Sequence, residues 1–391
     1  MNLTQAERVT RLPPYIFAEI EKLLLEKKRQ GVSIISLSIG DPDLPPPPFI
    51  LNDLHRESRD PQNHHYSLSQ GEPTFRTAVA NWYHHRFNVD LNPDTEVIAL
   101  IGSKEGIANV TRAFINPGDS VLAPNPAYPV YANGGTILSD GVPLSMPLVN
   151  ANGYQPDLDQ VAAIIHDRPV KMMYLNYPNN PTAAVADLSF LRRVVDFATE
   201  HNIILCYDNA YSEITFDGYR APSLLEVPGA KEIAIEFNSC SKTFNMTGDR
   251  IGFAVGNEQL IEGLRKVKSQ IDSGPPVYVQ NVITKALENY YTPRIQQQLD
   301  LLNRTYQERR DVLIKGLTAL GFNCPVPKAT FYVWLNCGED SMKFTAKLLD
   351  NGVAVTPGIG FGSEGKTYVR FSITRPKEAI AEACERLSTL D

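Results

Sequence analysis

Between about residues 70 and 256 the chain repeats one pattern, a short apolar run followed by a helical stretch. VIALIG precedes KEGIANVTRAF, and SVLAPNP and KMMYLNYP lead to FLRRVVDFATEH and IILCYD. AIEFNSC and RIGFAVG complete the series. Runs this short, apolar on both alternating sets of positions and separated by helical stretches, are the mark of βα units. Their strands belong to a mostly parallel sheet buried on both faces. The fold class is therefore α/β, a large domain with a mostly parallel sheet flanked by helices.

Beyond about residue 290 the style changes. One long helical stretch, PRIQQQLDLLNRTYQERRDVLIKGL, is followed by strands in TFYVWLN, VAVTPG and YVRFSIT and by a closing helix. This reads as a small α+β domain. The first thirty residues read as an amphipathic helix, with Ile16, Ile20, Leu23 and Leu24 at helical spacing, and VSIISLSIGDPD adds a short strand and turn. Pro45 to Pro48 read as a stiff connector that joins neither a helix nor a central strand. The expected division is 1–46 as an N-terminal arm belonging to the small domain, 47–288 as the large domain and 289–391 as the small C-terminal domain. The turn after NPT carries Ala183, whose backbone is expected to avoid positive φ.

Composition narrows the function. The 391 residues carry 37 basic and 44 acidic side chains, net charge -7, with no basic block to line a nucleic-acid groove. No uncharged apolar run is long enough to span a membrane. Five cysteines without CxxC spacing suit a reducing cytoplasm. The doublets His64-His65 and His84-His85 place neighbours on different faces, so no metal site is expected. No GxGxxG follows an early strand, which argues against a nicotinamide site.

Five short segments carry chemistry. Ser239-Cys240-Ser241-Lys242-Thr243-Phe244, with Arg250 eight positions after the lysine, is either a solvated loop or a lysine held among hydroxyls. Asn176-Tyr177-Pro178-Asn179-Asn180-Pro181-Thr182 follows a buried strand and reads on its own as a Pro/Asn turn. In Tyr207-Asp208-Asn209-Ala210-Tyr211 the acid ends an apolar strand, where open α/β sheets bind ligands, or else caps a helix. Ile101-Gly102-Ser103-Lys104-Glu105-Gly106 is a strand-to-helix turn able to offer backbone N–H groups to an anion. Val369-Arg370-Phe371-Ser372 places an arginine in a strand, ordinarily an edge-strand charge.

Taken in this order, NNPT, YDNAY, SCSK with Arg250, and VRFS resemble the fold-type I pyridoxal-phosphate enzymes, class I/II aminotransferases, nearly end to end. LPPYIFAEI, IGDPDLP, GSKEGI and NPAYPVY are most similar to the LL-diaminopimelate aminotransferase branch. The resemblance implies pyridoxal 5'-phosphate as cofactor, bonded through Lys242, with Asp208 on the pyridine nitrogen and Tyr211 and Asn180 on the ring hydroxyl. It puts Tyr128 on the ring face and Ser103, Lys104, Ser239 and Arg250 on the phosphate, with Tyr66 contributed across a homodimer. Gly40 and Arg370 are implied to receive the substrate carboxylate, and Tyr15, Asn180 and Asn281 to contact substrate or cofactor. Lys242, Asp208 and Tyr211 form the implied catalytic set.

The chemistry needs these residue types. A carboxylate beside the ring nitrogen favours its protonated form by about 1–3 pKa units. A lysine amine, freed when substrate displaces it, is placed as general base, and Arg250 and Lys104 are expected to depress its pKa. The planar fork of Arg370 suits both oxygens of a carboxylate. The implied reaction is ping-pong exchange between an amino acid and a 2-oxo acid, with 2-oxoglutarate as acceptor. Ser67 to Gln70 lacks the acidic residue typical of diaminopimelate-specific relatives, and Asn109 stands where a histidine is frequent. Aspartate, alanine and aromatic donors therefore stay open beside LL-diaminopimelate, as does a pyridoxal-phosphate carbon–sulfur lyase.

Overall fold

The computed structural model describes residues 3–388. Its strands, in chain order, are β1 (Ile35–Ser36), β2 (Val97–Leu100), β3 (Ser120–Asn125), β4 (Val142–Pro147), β5 (Val170–Asn176) and β6 (Ile204–Asp208). They continue as β7 (Ala234–Ser239), β8 (Gly252–Gly256), β9 (Tyr332–Asn336), β10 (Val353–Ala354), β11 (Thr356–Pro357) and β12 (Tyr368–Ser372). Seven of them form one sheet in the order β2-β8-β7-β6-β5-β3-β4. Only β8 runs against its neighbours. The sheet is therefore the mostly parallel one that the apolar runs imply.

Alternation along each strand builds two cores. Ala99, Leu122, Met173, Leu175, Leu205 and Phe253 face the helices Pro73–Phe87, Leu188–Glu200 and Val277–Glu288. Ile98, Leu100, Val121, Met172, Cys206 and Phe237 face the helices Ser103–Phe114 and Glu258–Lys268. With side chains alternating every second residue, a strand apolar at every position must be covered on both sides. Pro143 and Pro147 sit on β4, at the sheet's edge, where a missing N–H costs no ladder bond.

A third core joins Leu37 of the N-terminal segment to Val333, Leu335, Val355, Phe371 and Ile373. Here β11, β12 and β9 form an antiparallel sheet, while β1 pairs parallel with β10. The 27-residue helix Pro293–Ala319 links the cores: Ile295 and Leu299 pack in the first, Leu313 and Leu317 in the third. Arg309 on this helix grips Asp43 with both guanidinium nitrogens, at 2.7 and 3.0 Å, and so fixes the N-terminal segment.

Three expectations need correction. The proline run does enter a helix, because Pro48 opens Pro48–Glu57. At the first helical position the missing N–H has no partner to lose. The N-terminal stretch is not one helix; Pro13 and Pro14 separate Glu7–Thr10 from Ile16–Arg29, and Leu23 is exposed. Ala183 takes φ +57 after all. Two backbone bonds, Ala183 N–H to Asn179 O and Asn179 N–H to Ala184 O, close the turn tightly enough to impose it. They outweigh a left-handed penalty of about 1–2 kcal/mol.

Glu236 on β7 is fully buried and accepts from Tyr83, Asn209, Ser223 and the Leu224 N–H at 2.7–2.9 Å. Removing the carboxylate leaves four donors dry. Glu236→Ala is expected to lose about 3–5 kcal/mol in denaturant unfolding, whereas Glu382→Ala, which breaks an exposed helix pair, loses under about 0.5. Equal losses for the two variants would contradict this assignment.

Candidate active site

Parallel register brings Asn176 on β5 beside Asp208 on β6, and Asp208 beside Phe237 on β7. The carboxyl ends of three neighbouring strands thus deliver Asn176, Asp208 and Ser239 to one edge of the sheet, where a cavity of 380 Å³ opens. Every side chain implied by the resemblance except Tyr66 and Asn281 lines it. Tyr66 is 88% exposed, and Asn281 bonds Asn63 at 3.0 Å on the helix Val277–Glu288.

Asp208 is buried. Its Oδ2 accepts the Tyr131 hydroxyl at 2.7 Å, and Oδ1 accepts the Ala210 N–H at 3.2 Å. Burial pushes its carboxyl up to about 6, against the Tyr131 and Ala210 hydrogen bonds and the Lys242 charge, which favour ionisation. Asn176 ties the neighbouring strands together, donating to the Asp208 carbonyl at 2.7 Å and accepting the Asn180 N–H at 2.8 Å. The resemblance assigns no role to either Tyr131 or Asn176. Both lie inside the segments NPAYPVY and NYPNNPT, in which the resemblance gives a role only to Tyr128 and Asn180.

Lys242 occupies the helical turn Cys240–Thr243 directly after β7, with Nζ 3.4 Å from the Gly40 carbonyl. Burial lowers its amine to about 8. Asp41 pulls in the opposite direction, while Arg370 and Arg250 add to the lowering. Desolvation thus leads, and the second cation is Arg370 where the sequence reading expected Lys104. Lys104 instead points its ammonium at the rings of Tyr15 and Tyr128, 5.2 and 5.7 Å from their centroids.

Arg370 lies on β12, the middle strand of its sheet, and is buried, so the edge-strand alternative fails. One nitrogen donates to Asn180 Oδ1 at 2.7 Å and another to the Ser38 carbonyl at 2.9 Å. Its guanidinium lies over the Tyr332 ring, 4.1 Å from the centroid. Tyr332, a further residue of the site that lies in the strand run TFYVWLN without any motif to mark it, also meets Tyr211 hydroxyl to hydroxyl at 3.1 Å. A Cβ on Gly40 would fall 2.1 Å from the Tyr332 hydroxyl, which explains glycine there.

At the other end of the cavity the helix Ser103–Phe114 begins. Gly102 has φ +100, and a Cβ on it would sit 2.4 Å from Arg250 Nη2. Arg250 is held by the carbonyls of Thr247 and Ile101 at 2.8 and 3.0 Å. Ser241 Oγ is buried and has no hydrogen-bond partner among the described residues. Helix N–H groups, an anchored arginine and hydroxyls together make an anion cradle. Asn109 stands apart from it and donates to Glu105 at 2.7 Å.

A doubly covered α/β sheet with a half-buried lysine and a buried carboxylate and arginine at its carboxyl edge defines an enzyme site of the fold-type I class. Residues 32–387 match the family described as aminotransferase class I and II, and the chain belongs to that family. It is 50% identical over 390 residues to the LL-diaminopimelate aminotransferase of Desulforudis audaxviator, covering 99% of this chain and 98% of that one. The enzyme of the same name from Moorella thermoacetica is 49% identical over 388 residues, 98% of each chain. Among solved structures, substrate-bound BacF from Bacillus subtilis superposes with TM-score 0.92 at 38% identity, over 100% of this chain and 98% of that one. Thermus thermophilus aspartate aminotransferase with maleate gives 0.92 at 29%, over 100% of both chains.

Removing the Tyr131 hydroxyl takes away one bond that stabilises ionised Asp208. Tyr131→Phe is expected to raise the carboxyl pKa by about 1 unit, read by carbon NMR of the cofactor-free protein. An unchanged titration would show that this bond does not hold the charge.

Proposed function

We propose that this aminotransferase uses pyridoxal phosphate to move an amino group from LL-diaminopimelate to 2-oxoglutarate by ping-pong exchange. The observation that carries the reading is the convergence of Lys242, Asp208 and Arg370 on one cavity of 380 Å³. Three features support the cofactor: the cradle kept open by Gly102, the unpartnered Ser241 hydroxyl and the buried Asp208 carboxylate at the opposite end. Ser103, Lys104, Ser239 and Arg250 are assigned to its phosphate, Tyr128 to its ring face, and Tyr211 and Asn180 to its ring hydroxyl. Pyridoxal phosphate, when bound, supplies the electron-withdrawing ring that lets an amino acid give up its α-proton.

The chain's own residues do the rest. Asp208, ionised above about pH 6, places a negative charge at the base of the cavity. Arg370, already oriented by Asn180 and Ser38, receives the substrate α-carboxylate and fixes which bond to Cα is labile. Lys242 takes the proton at Nζ. With its amine at about 8, roughly a quarter is neutral at pH 7.5, against about 0.1% for an ordinary lysine. Tyr15, Lys104 and Tyr128 form one wall, and the family reading closes the arm 1–46 with the small domain 289–391 over the 47–288 domain to exclude water.

The substrate assignment is supported by full-length relatives at 45–50% identity that carry the name LL-diaminopimelate aminotransferase. One observation favours a second reading: Ser67 to Gln70 offers no carboxylate for a distal ammonium, which leaves aspartate, alanine or aromatic donors. We also infer a homodimer, in which Tyr66 and Asn281 reach the partner's cavity, since both lie outside their own. Five unpaired thiols favour a cytoplasmic setting, and among the described residues no helix is long and apolar enough to cross a membrane.

A donor panel against 2-oxoglutarate tests the reading, with LL-diaminopimelate expected to give the highest kcat/KM. A higher value for aspartate, alanine or phenylalanine selects the second reading, and pyruvate released without any 2-oxo acid selects a lyase. In cofactor-free protein, the rate of bonding to added pyridoxal phosphate is expected to rise with pH through about 8, since the protonated amine cannot attack. A rise displaced to the ordinary lysine range, above pH 10, would contradict the desolvated lysine. Sedimentation is expected to give a dimer, and a fully active monomer would refute the shared sites.

A further inference from the structure

The cradle's backbone is held from below by charges that do not line the cavity. Lys268 is completely buried and donates to Glu105 Oε2 at 3.1 Å and to Asp272 Oδ1 at 2.5 Å. Glu105 Oε2 also accepts the Ile101 N–H at 3.3 Å, and Oε1 accepts from Asn109 at 2.7 Å. Ile101 is the residue whose carbonyl anchors Arg250 at 3.0 Å. One peptide segment therefore takes a carboxylate on its N–H side and the anion-binding arginine on its C=O side.

The other end of the triad reaches a different loop. Asp272 Oδ1 accepts the Gly274 N–H at 2.7 Å, and the Ser273 carbonyl between them accepts the Ser67 hydroxyl at 2.6 Å. Gly274, at φ +83, approaches Leu68 so closely that a Cβ would lie 2.7 Å from its carbonyl oxygen. Ser67 follows Tyr66, the residue assigned above to the partner's cavity. Bond by bond, the connection runs from Arg250 through Ile101, Glu105, Lys268 and Asp272 to Ser67.

We infer that the Glu105–Lys268–Asp272 triad, centred on a buried ammonium, is a strut that sets the backbone of the anion cradle and ties it to the Tyr66 loop, so that phosphate affinity depends on three positioning residues that touch no ligand. The inference rests on the cofactor reading above. A buried cation between two carboxylates is costly to break, because the partners left behind are desolvated and unpaired. Such an arrangement holds its neighbours to one geometry. Its loss is felt first where that geometry is demanded, at the N–H groups and the arginine that converge on a phosphate.

The test compares two aldehydes on cofactor-free protein, pyridoxal phosphate and pyridoxal, which differ only in the phosphate. Glu105→Ala is expected to weaken pyridoxal phosphate binding about 10-fold or more, the scale seen for outer supporting partners of a bound group, with pyridoxal changed less than about twofold. Amide hydrogen exchange is expected to quicken in both the 101–104 and the 66–70 segments. If Glu105→Ala does not fold, Glu105→Gln carries the test. It keeps an acceptor for Ile101 but loses the charge facing Lys268, and an intermediate, phosphate-selective loss is expected. Equal weakening of both aldehydes, or of neither, against a wild type that prefers pyridoxal phosphate would overturn the strut alone. A wild type that binds both aldehydes equally would remove the phosphate cradle itself, and with it the cofactor reading as well.

Discussion

Desolvation of two opposite charges at the carboxyl edge of one sheet governs this molecule. Asp208 is buried and Lys242 half-buried, and desolvation moves each toward its neutral form, to about 6 and about 8. Between those values both groups hold their ordinary charge while each stays close to exchanging a proton. Neither could sit there unaided. Tyr131 and the Ala210 N–H stabilise the carboxylate, and Asp41 offsets part of the push from Arg370 and Arg250 on the amine.

The sheet exists to make that placement cheap. Parallel strands buried on both faces end at the same edge, so Asn176, Asp208 and Ser239 arrive together without any loop having to fold for the purpose. Glu236 and its four donors lock β7 beneath this edge, and through Asn209 they reach the residue next to Asp208. The third core brings Arg370 in from the opposite side on a central strand. The site thus draws on all three cores, and the helix Pro293–Ala319 and the Arg309–Asp43 pair keep them in register.

Much of this was legible in the sequence because its signals are local. A buried parallel strand announces itself as a run without alternation, and the helix Ser103–Phe114 covers the helical stretch KEGIANVTRAF with one residue added at its start. The helix Val277–Glu288 was not legible: VYVQNVITKALE is rich in β-branched residues and follows two prolines. Its burial against Pro73–Phe87 outweighs propensity, and no single-segment signal carries that information. The site shows the same split. Lys242, Asp208 and Arg370 stand in recognisable spacings, whereas Tyr131 and Tyr332 act through contacts made across distant elements, at 77 and 121 residues of separation. Ala183 shows the limit of reading a turn from residue preference, since closing hydrogen bonds decided its φ.

The decisive quantity is which nitrogen becomes covalently bonded. Purified protein loaded with pyridoxal phosphate, reduced with borohydride, digested and sequenced by mass spectrometry measures this directly. The added mass is expected on the peptide bearing Lys242, at stoichiometry near one per chain and abolished by prior addition of an amino-acid donor. Modification spread over surface lysines such as Lys266 or Lys377, or none at all, would contradict it.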